Sequence, residues 1–353
     1  MGLGRFVVTR TLNLVLVLFA VLFLTIALAG PATDNVLKRG VGVFVKQDIA
    51  ATCGKQNPPG FCRDANAIRE QVQTMTAREI DNLGLNEPWW APKRLWYSLY
   101  SLATLNLGEA YFLRSYGGSS LVKDIIVEAI PKTILLFTTS TILSLIIGLF
   151  IGIKAARKPG GILDRLTSTI GVASGVVPLW WVGIIMIVVF SYGFRIFPAR
   201  ATPLLAPDDP LYIPALLYHM TLPLITITML GFGGWAYIVR NLVIGIMQED
   251  YITVAMAKGV PERNILYGHV LRSAAPPVVT IAVLSLSGSL GGALITEAVF
   301  DWPGMGRLVF NAIGALDVPI ILGVIYVSTA VYLASIFIAD VLYGFFDPRV
   351  KAG

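Results

Sequence analysis

The chain has 353 residues, 56% of them hydrophobic and only 14% charged, with a mean hydropathy of +0.73. Soluble domains carry about 25% charged residues, so a soluble enzyme is excluded, and the net charge of +6 calls for a membrane explanation and no nucleic-acid partner. A backbone crossing lipid must satisfy its own hydrogen bonds, which leaves helices or closed barrels. The apolar runs are roughly 19–28 residues long and do not alternate, so they predict helices and an all-α polytopic membrane protein.

In chain order, Arg5 and Arg10 precede the apolar run TLNLVLVLFAVLFLTIALAG at 11–30. This resembles a signal peptide, with Ala27-Leu28-Ala29 offering a cleavage site. The run is nonetheless near spanning length and longer than the usual h-region of about 7–15 residues, so an uncleaved first span is expected over 8–29. Residues 31–128 form a long polar insert. A second span is expected at 131–153, with Pro131 suited to the first helical position. Lys154, Arg157, Lys158 and Arg165 follow around the breaker Pro159-Gly160-Gly161. Further spans are expected at 167–193, 214–239, 278–296 and 319–345, with loops at 194–213 and 297–317. A polar, helix-patterned stretch, EDYITVAMAKGVPERNILYGHVLRSAAPP at 249–277, separates the fourth span from the fifth. The chain thus divides into 1–30, 31–128 and a five-helix part, 129–353, that holds the polar loop 245–277.

Positive charge sets the orientation. Segments 1–10, 154–165, 240–272 and 346–353 hold twelve Lys/Arg, whereas 194–213 and 297–317 hold three, Arg195, Arg200 and Arg307. Loops as long as 31–128 do not count in this rule. Six spans with both termini in the cytoplasm satisfy every short loop. The 249–277 stretch is then cytoplasmic and the insert external.

The only cysteines, Cys53 and Cys62, lie in the insert on either side of GKQNPPGF. They are either a disulfide or two unrelated thiols. The external setting and the Pro-Pro-Gly turn favour the disulfide, and with no nearby His a metal site is not supported. Residues 64–83 read as one or two helices. Trp89, Trp90, Trp96, Tyr97, Tyr100 and Tyr111 suit an interfacial belt, with contact to a docking partner as the alternative.

Several classes lose support by what is missing. There is no GxxxxGK[ST], CxxC or HExxH, and the two histidines, His219 and His269, are far apart in sequence. In the spans after the first, the charged residues are Lys132 and Asp340, both near span ends, so an ion-coupled carrier with a midplane relay is poorly supported. Small-residue spacings, Gly148/Gly152, Gly171/Gly175 and Gly288/Gly292, suit close helix packing.

Five ordered stretches resemble one family. They are LGLNEPWW (83–90), VPLWWVG (177–183), AMAKGVPERNILYGHVLRSAAPPVVT (255–280), TEAVFDWPGMGRLVFNAI (296–313) and LYGFFDPRVK (342–351). Together they are similar to the oligopeptide/dipeptide/nickel permease subunits of ABC importers, over roughly 83–350. The family-motif residues are Trp302, Pro303, Gly304, Gly306, Asp347, Pro348 and Arg349.

That resemblance implies the type I ABC importer permease fold and a non-catalytic subunit that binds no cofactor, with ATP and Mg held by two cytoplasmic ATPase subunits. It also implies a second homologous permease subunit, an external solute-binding protein and a lipid bilayer around the spans. A short coupling helix would meet the ATPase through Glu249, Asp250, Thr253, Ala255, Ala257, Lys258, Gly259 and Glu262. Thr253, Val254 and Ala255 stand where the broader importer pattern has Glu-Ala-Ala; Gly259 is kept. Peptides are the expected cargo, with oligosaccharides or nickel chelates as alternatives within the class and an ion-coupled secondary transporter as the alternative outside it.

Overall fold

The computed structural model describes residues 3–54, 59–82 and 86–346, apart from 89–90, 93–95, 97–99, 101–103, 105 and 290–291. Trp89, Trp90, Tyr97, the start of LGLNEPWW and the Asp347-Pro348-Arg349 motif therefore lie outside the described residues. Among those described, every regular element is helical, and one isolated bridge pairs Glu109 with Leu121. The chain divides into two compact units: Met1–Leu12, Ile130–Arg307 and Val331–Gly353 in one, Asn13–Ala129 and Leu308–Ala330 in the other.

In the second unit, helix α1 (Leu3–Cys53) carries the first apolar run and does not stop at residue 30; it continues to the first cysteine. Val41, Val45 and Ile49 recur every four residues along it and are buried. They meet Ile68, Val72 and Ile80 of α2 (Ala65–Asn82), with Phe44, Phe61, Tyr111 and Phe112 filling the same cluster. Residues 64–83 thus form one helix, and Cys53 and Cys62 form a disulfide, with their Cα atoms 5.4 Å apart. A Cβ added at Gly42 would lie 3.8 Å from Thr76. That contact and the disulfide make α1 and α2 an antiparallel hairpin. Asp317, wholly buried, accepts the backbone N–H groups of Tyr111, Phe112 and Leu113 at 3.1, 2.7 and 3.0 Å. That carboxylate ties the chain before α3 to the residue before the last helix.

Helix α3 (Val122–Ala156) starts nine residues before Pro131, which sits inside it. The start is fixed by local bonds instead: Ser119 Oγ–H donates to Asp124, an acid in the first turn, and Leu121 N–H donates to Ser119 Oγ. The expected third span is a broken pair, α4 (Ile162–Val176) and α5 (Leu179–Gly193), bent by 101°. The cause is Pro178, which holds Val177 extended, at φ −78° and ψ 124°. Residues Ile187–Gly193 of α5 are a π-helical turn.

Helix α6 (Tyr212–Met247) lies against both α3 and α4. A Cβ at Gly152 would come within 2.7 Å of Ala236 O, and one at Gly171 within 2.5 Å of Tyr237 Cβ. Gly148 presses on Trp235 and Ala236 in the same way. Among the described residues, Gly175 and Gly288 face nothing within 4 Å.

The short α7 (Asp250–Ala257) precedes α8 (Glu262–Ser289), which has a π-helical turn at Ile265–Val270. The region 297–317, expected as a loop, is largely helical: α9 (Leu294–Phe300) and α10 (Met305–Ala315) lead to α11 (Val318–Phe346). Among the described residues, four helices, α3, α6, α8 and α11, are long and apolar enough to cross a membrane, and the bent α4/α5 pair makes up to five.

Candidate functional site

Two groups of residues stand out in the first unit. One is the polar segment around α7. Glu249 caps the helix in extended conformation, at φ −71° and ψ 146°, and its carbonyl accepts the N–H groups of Ile252 and Thr253. At the other end Gly259 takes φ +77°. Its N–H donates to Met256 O at 2.9 Å, and Val260 N–H donates to Ala255 O at 3.2 Å. These paired bonds are a Schellman closure, which requires a left-handed residue and therefore favours glycine. Val260 and Ala255 share an apolar cluster, the contact that accompanies such closures. Pro261 then caps α8, and Glu262 opens it.

Of the residues singled out from the sequence, Glu249, Asp250, Thr253, Ala257, Lys258, Gly259 and Glu262 are exposed and Ala255 is half-buried. The structure collects them on α7 and its two caps. The residue that fixes the helix is another one. Ile252 is 0% exposed and packs among Ala156 of α3, Val239 and Val243 of α6, and Ile265, Leu266 and Val270 of α8. Tyr251 Oη–H adds a bond to Ser273 Oγ at 2.9 Å. Three long helices thus converge on the underside of α7, while Tyr251, Val254 and Met256 stay about half exposed on its outer side. Sequence reasoning missed Ile252 because it stands between Tyr251 and Val254, with nothing in the pattern to single it out.

A second missed pair secures the same end of the bundle. Asp164, at the start of α4, is buried and accepts two bonds from Arg240 of α6, at 2.5 and 3.0 Å. It also accepts Gly160 N–H at 2.7 Å. The Pro-Gly-Gly turn is therefore stitched to α6 by a bidentate ion pair, a geometry that only arginine supplies.

The other group is a knot built on α9. Glu297 is fully buried, and its carboxylate accepts Thr133 Oγ–H at 2.8 Å, Gly306 N–H at 2.7 Å and Arg307 N–H at 3.2 Å. Thr133 Oγ in turn accepts Met305 N–H at 2.8 Å. Trp302, also fully buried, donates its ring N–H to Lys132 O at 3.0 Å. Any side chain at Gly304 would collide with Glu297 and Thr133, and one at Gly306 would come within 2.6 Å of Leu294 Cα. Pro303 lies between the buried Trp302 and Gly304. The motif glycines are required by close approach to a carboxylate and to backbone. Asp301, left-handed at φ +58°, pairs with Arg307 at 2.7 Å, and its carbonyl accepts Thr202 Oγ–H. Glu297 lies outside the candidate spans, and burial pushes its carboxyl up to about 7, the three donors opposing that shift.

Among the described residues no cluster of three or more His, Cys, Asp or Glu could hold a metal ion. Several apolar spans, with a polar helix seated on three of them and two short helices before the last, mark a multi-pass membrane protein. Residues 126–352 match the family described as binding-protein-dependent transport system inner membrane component, and the chain belongs to that family. It is 30% identical to the oligopeptide transport system permease protein AppB of Bacillus subtilis, over 77% of this chain and 84% of the relative. It is 32% identical to the dipeptide transport system permease protein DppB of Alkalihalophilus pseudofirmus, over 80% and 88% of the two chains. The di/tripeptide transport system permease protein DppB of Pseudomonas aeruginosa is 30% identical over 78% and 85%.

Proposed function

We propose that this chain is one of two permease subunits of an ATP-driven importer and forms half of a pathway for peptides delivered by an external solute-binding protein. The relatives named above are permeases of oligopeptide, dipeptide and di/tripeptide systems, which supports the peptide cargo. In this reading six spans cross the membrane, α1 supplying the first, both termini are cytoplasmic, and the hairpin of α1 and α2 belongs to an external insert. ATP and Mg are held by two ATPase subunits, and the second permease completes the pathway.

The observation that carries the reading is the seating of α7. A helix of eight residues would be marginal alone. Here Ile252 plugs it into the ends of α3, α6 and α8, and the Schellman turn at Gly259 sets its exit direction. A partner gripping the exposed Tyr251, Val254 and Met256 would move three spans as one body, because packed interiors shift between discrete arrangements rather than deform continuously. Glu249, Asp250, Thr253, Ala255, Ala257, Lys258, Gly259 and Glu262 belong to this coupling surface.

The test is Gly259→Val. A β-branched residue at a positive φ is strained by about 1–2 kcal/mol or more, enough to redirect a short helix. The variant should insert normally while losing ATPase subunits on affinity purification and losing ATP-dependent peptide uptake into vesicles. Wild-type assembly and uptake in the variant would overturn the assignment.

A further inference from the structure

The adjoining ends of α3 and α8 flank two open surface cavities that the coupling role leaves unassigned. One, of about 410 Å³, is lined by Arg157, Glu262, Arg263, Leu266 and Tyr267. Its neighbour, of about 270 Å³, is lined by Arg263, Asn264, Tyr267 and Gly268. The two share Arg263 and Tyr267. Arg157 is held in place: its Nη2 donates to Tyr267 Oη at 2.7 Å, and its guanidinium lies 5.7 Å from the centre of the same ring. A guanidinium bonded to one tyrosine and lying within cation–π range of its ring is partly ordered before a ligand arrives. Ile265, Leu266 and Val270 point into the core, while Tyr267 and Gly268 remain exposed on the far side of the π-helical turn.

Two arginines against one carboxylate leave a net positive cavity, and paired guanidinium groups match the oxygens of a phosphate. Three features favour a lipid as its carrier. The cavities lie at the ends of two candidate spans, α3 and α8. In the orientation proposed above they lie on the side whose termini and short loops hold twelve of the Lys/Arg residues, and basic pockets between spans on that side suit anionic headgroups. Glu262 would repel a bare dianion but can accept a hydrogen bond from the hydroxyl of a glycerol headgroup. The larger volume also falls within the range of small-molecule sites, about 300–1,000 Å³.

We propose that this cavity pair binds the phosphate of an anionic, hydroxyl-bearing phospholipid headgroup. Glu262 belongs both to this site and to the coupling surface, so an occupied site stiffens the joint between α7 and α8. Its cytoplasmic placement rests on the orientation given above, but the test does not use transport; its failure leaves the importer reading standing, and an uncoupled Gly259 variant leaves this one standing.

The intact chain in detergent micelles is titrated with phosphatidylglycerol, with phosphatidylcholine and with inorganic phosphate, and retained lipid is counted by native mass spectrometry. One phosphatidylglycerol per chain is expected, bound about tenfold more weakly or worse when Arg157 and Arg263 are both replaced by Gln. Arg263→Gln alone, which leaves the Arg157–Tyr267 pair in place, should shift binding in the same direction. Lys123→Gln, an equal loss of charge near the other end of α3, should leave it unchanged. Equal retention of phosphatidylcholine, or of phosphatidylglycerol by the arginine variants, would overturn the proposal. So would displacement of the lipid by inorganic phosphate with the same arginine dependence, which would make free phosphate the ligand.

Discussion

Replacing Glu297 by alanine removes the acceptor that Thr133 Oγ–H, Gly306 N–H and Arg307 N–H share. A buried donor left unpaired costs about 1–3 kcal/mol. The Thr133 and Gly306 bonds are buried and the Arg307 bond is partly so, so two donors bear the full cost and the loss should be about 2–6 kcal/mol. Glu297→Gln behaves differently. Its amide oxygen can stay where Oε2 accepts from Gly306 and Arg307, and its NH₂ can donate to Thr133 Oγ, which keeps a lone pair beside the one taken by Met305 N–H. The Thr133 O–H is then the one donor left without its acceptor, so that variant should cost about 1–3 kcal/mol, less than the alanine.

The same site predicts a pH dependence. The carboxyl is raised from 4.5 to about 7 by burial, so between those values the folded chain keeps a proton that the unfolded chain has released. The contribution is full below 4.5, falls as pH rises, and is lost above about 7; it is on the order of 3 kcal/mol. Glu297→Gln should flatten that slope. Thermal midpoints from tryptophan fluorescence in detergent micelles, scanned from acidic to mildly basic pH, measure both effects, and Trp302 reports from within the knot. An alanine variant as stable as wild type, or a glutamine variant that keeps the slope, would refute the reasoning.

Ile252→Ala should cost about 2–5 kcal/mol of local packing and release α7 from the bundle; on the importer reading proposed above, ATPase subunits should still bind but peptide should no longer stimulate hydrolysis, and stimulation at the wild-type level would count against rigid seating. Replacing Cys53 by Ser opens a loop of nine-residue separation, worth about 2–3 kcal/mol, and should speed limited proteolysis between α1 and α2 without altering membrane insertion. Unchanged cleavage would mean that the apolar cluster of Val41, Val45, Ile49, Ile68 and Val72 holds the hairpin unaided.

What the sequence determined by itself was whatever depends on composition and near neighbours. Low charge and long apolar runs require membrane helices because lipid offers no hydrogen bonds. Gly259 followed by Pro261 marks the end of one helix and the start of the next because each permits only a few backbone conformations, and α7 and α8 meet there. The disulfide was legible because Cys53 and Cys62 flank a Pro-Pro-Gly sequence. The tertiary structure decided the rest. Pro131 read as a helix start, but Ser119 and Asp124 had already begun the helix upstream. The region 297–317 read as a loop because its helices are short, and Glu297 is paired with a threonine 164 positions away. Asp164 drew no notice beside the basic residues 154–165, because its partner Arg240 stands 76 residues on. Which carboxylate is buried, and which isoleucine seats α7, follows from which helices lie side by side; that choice is made by packing across the bundle and leaves no periodic trace in the chain.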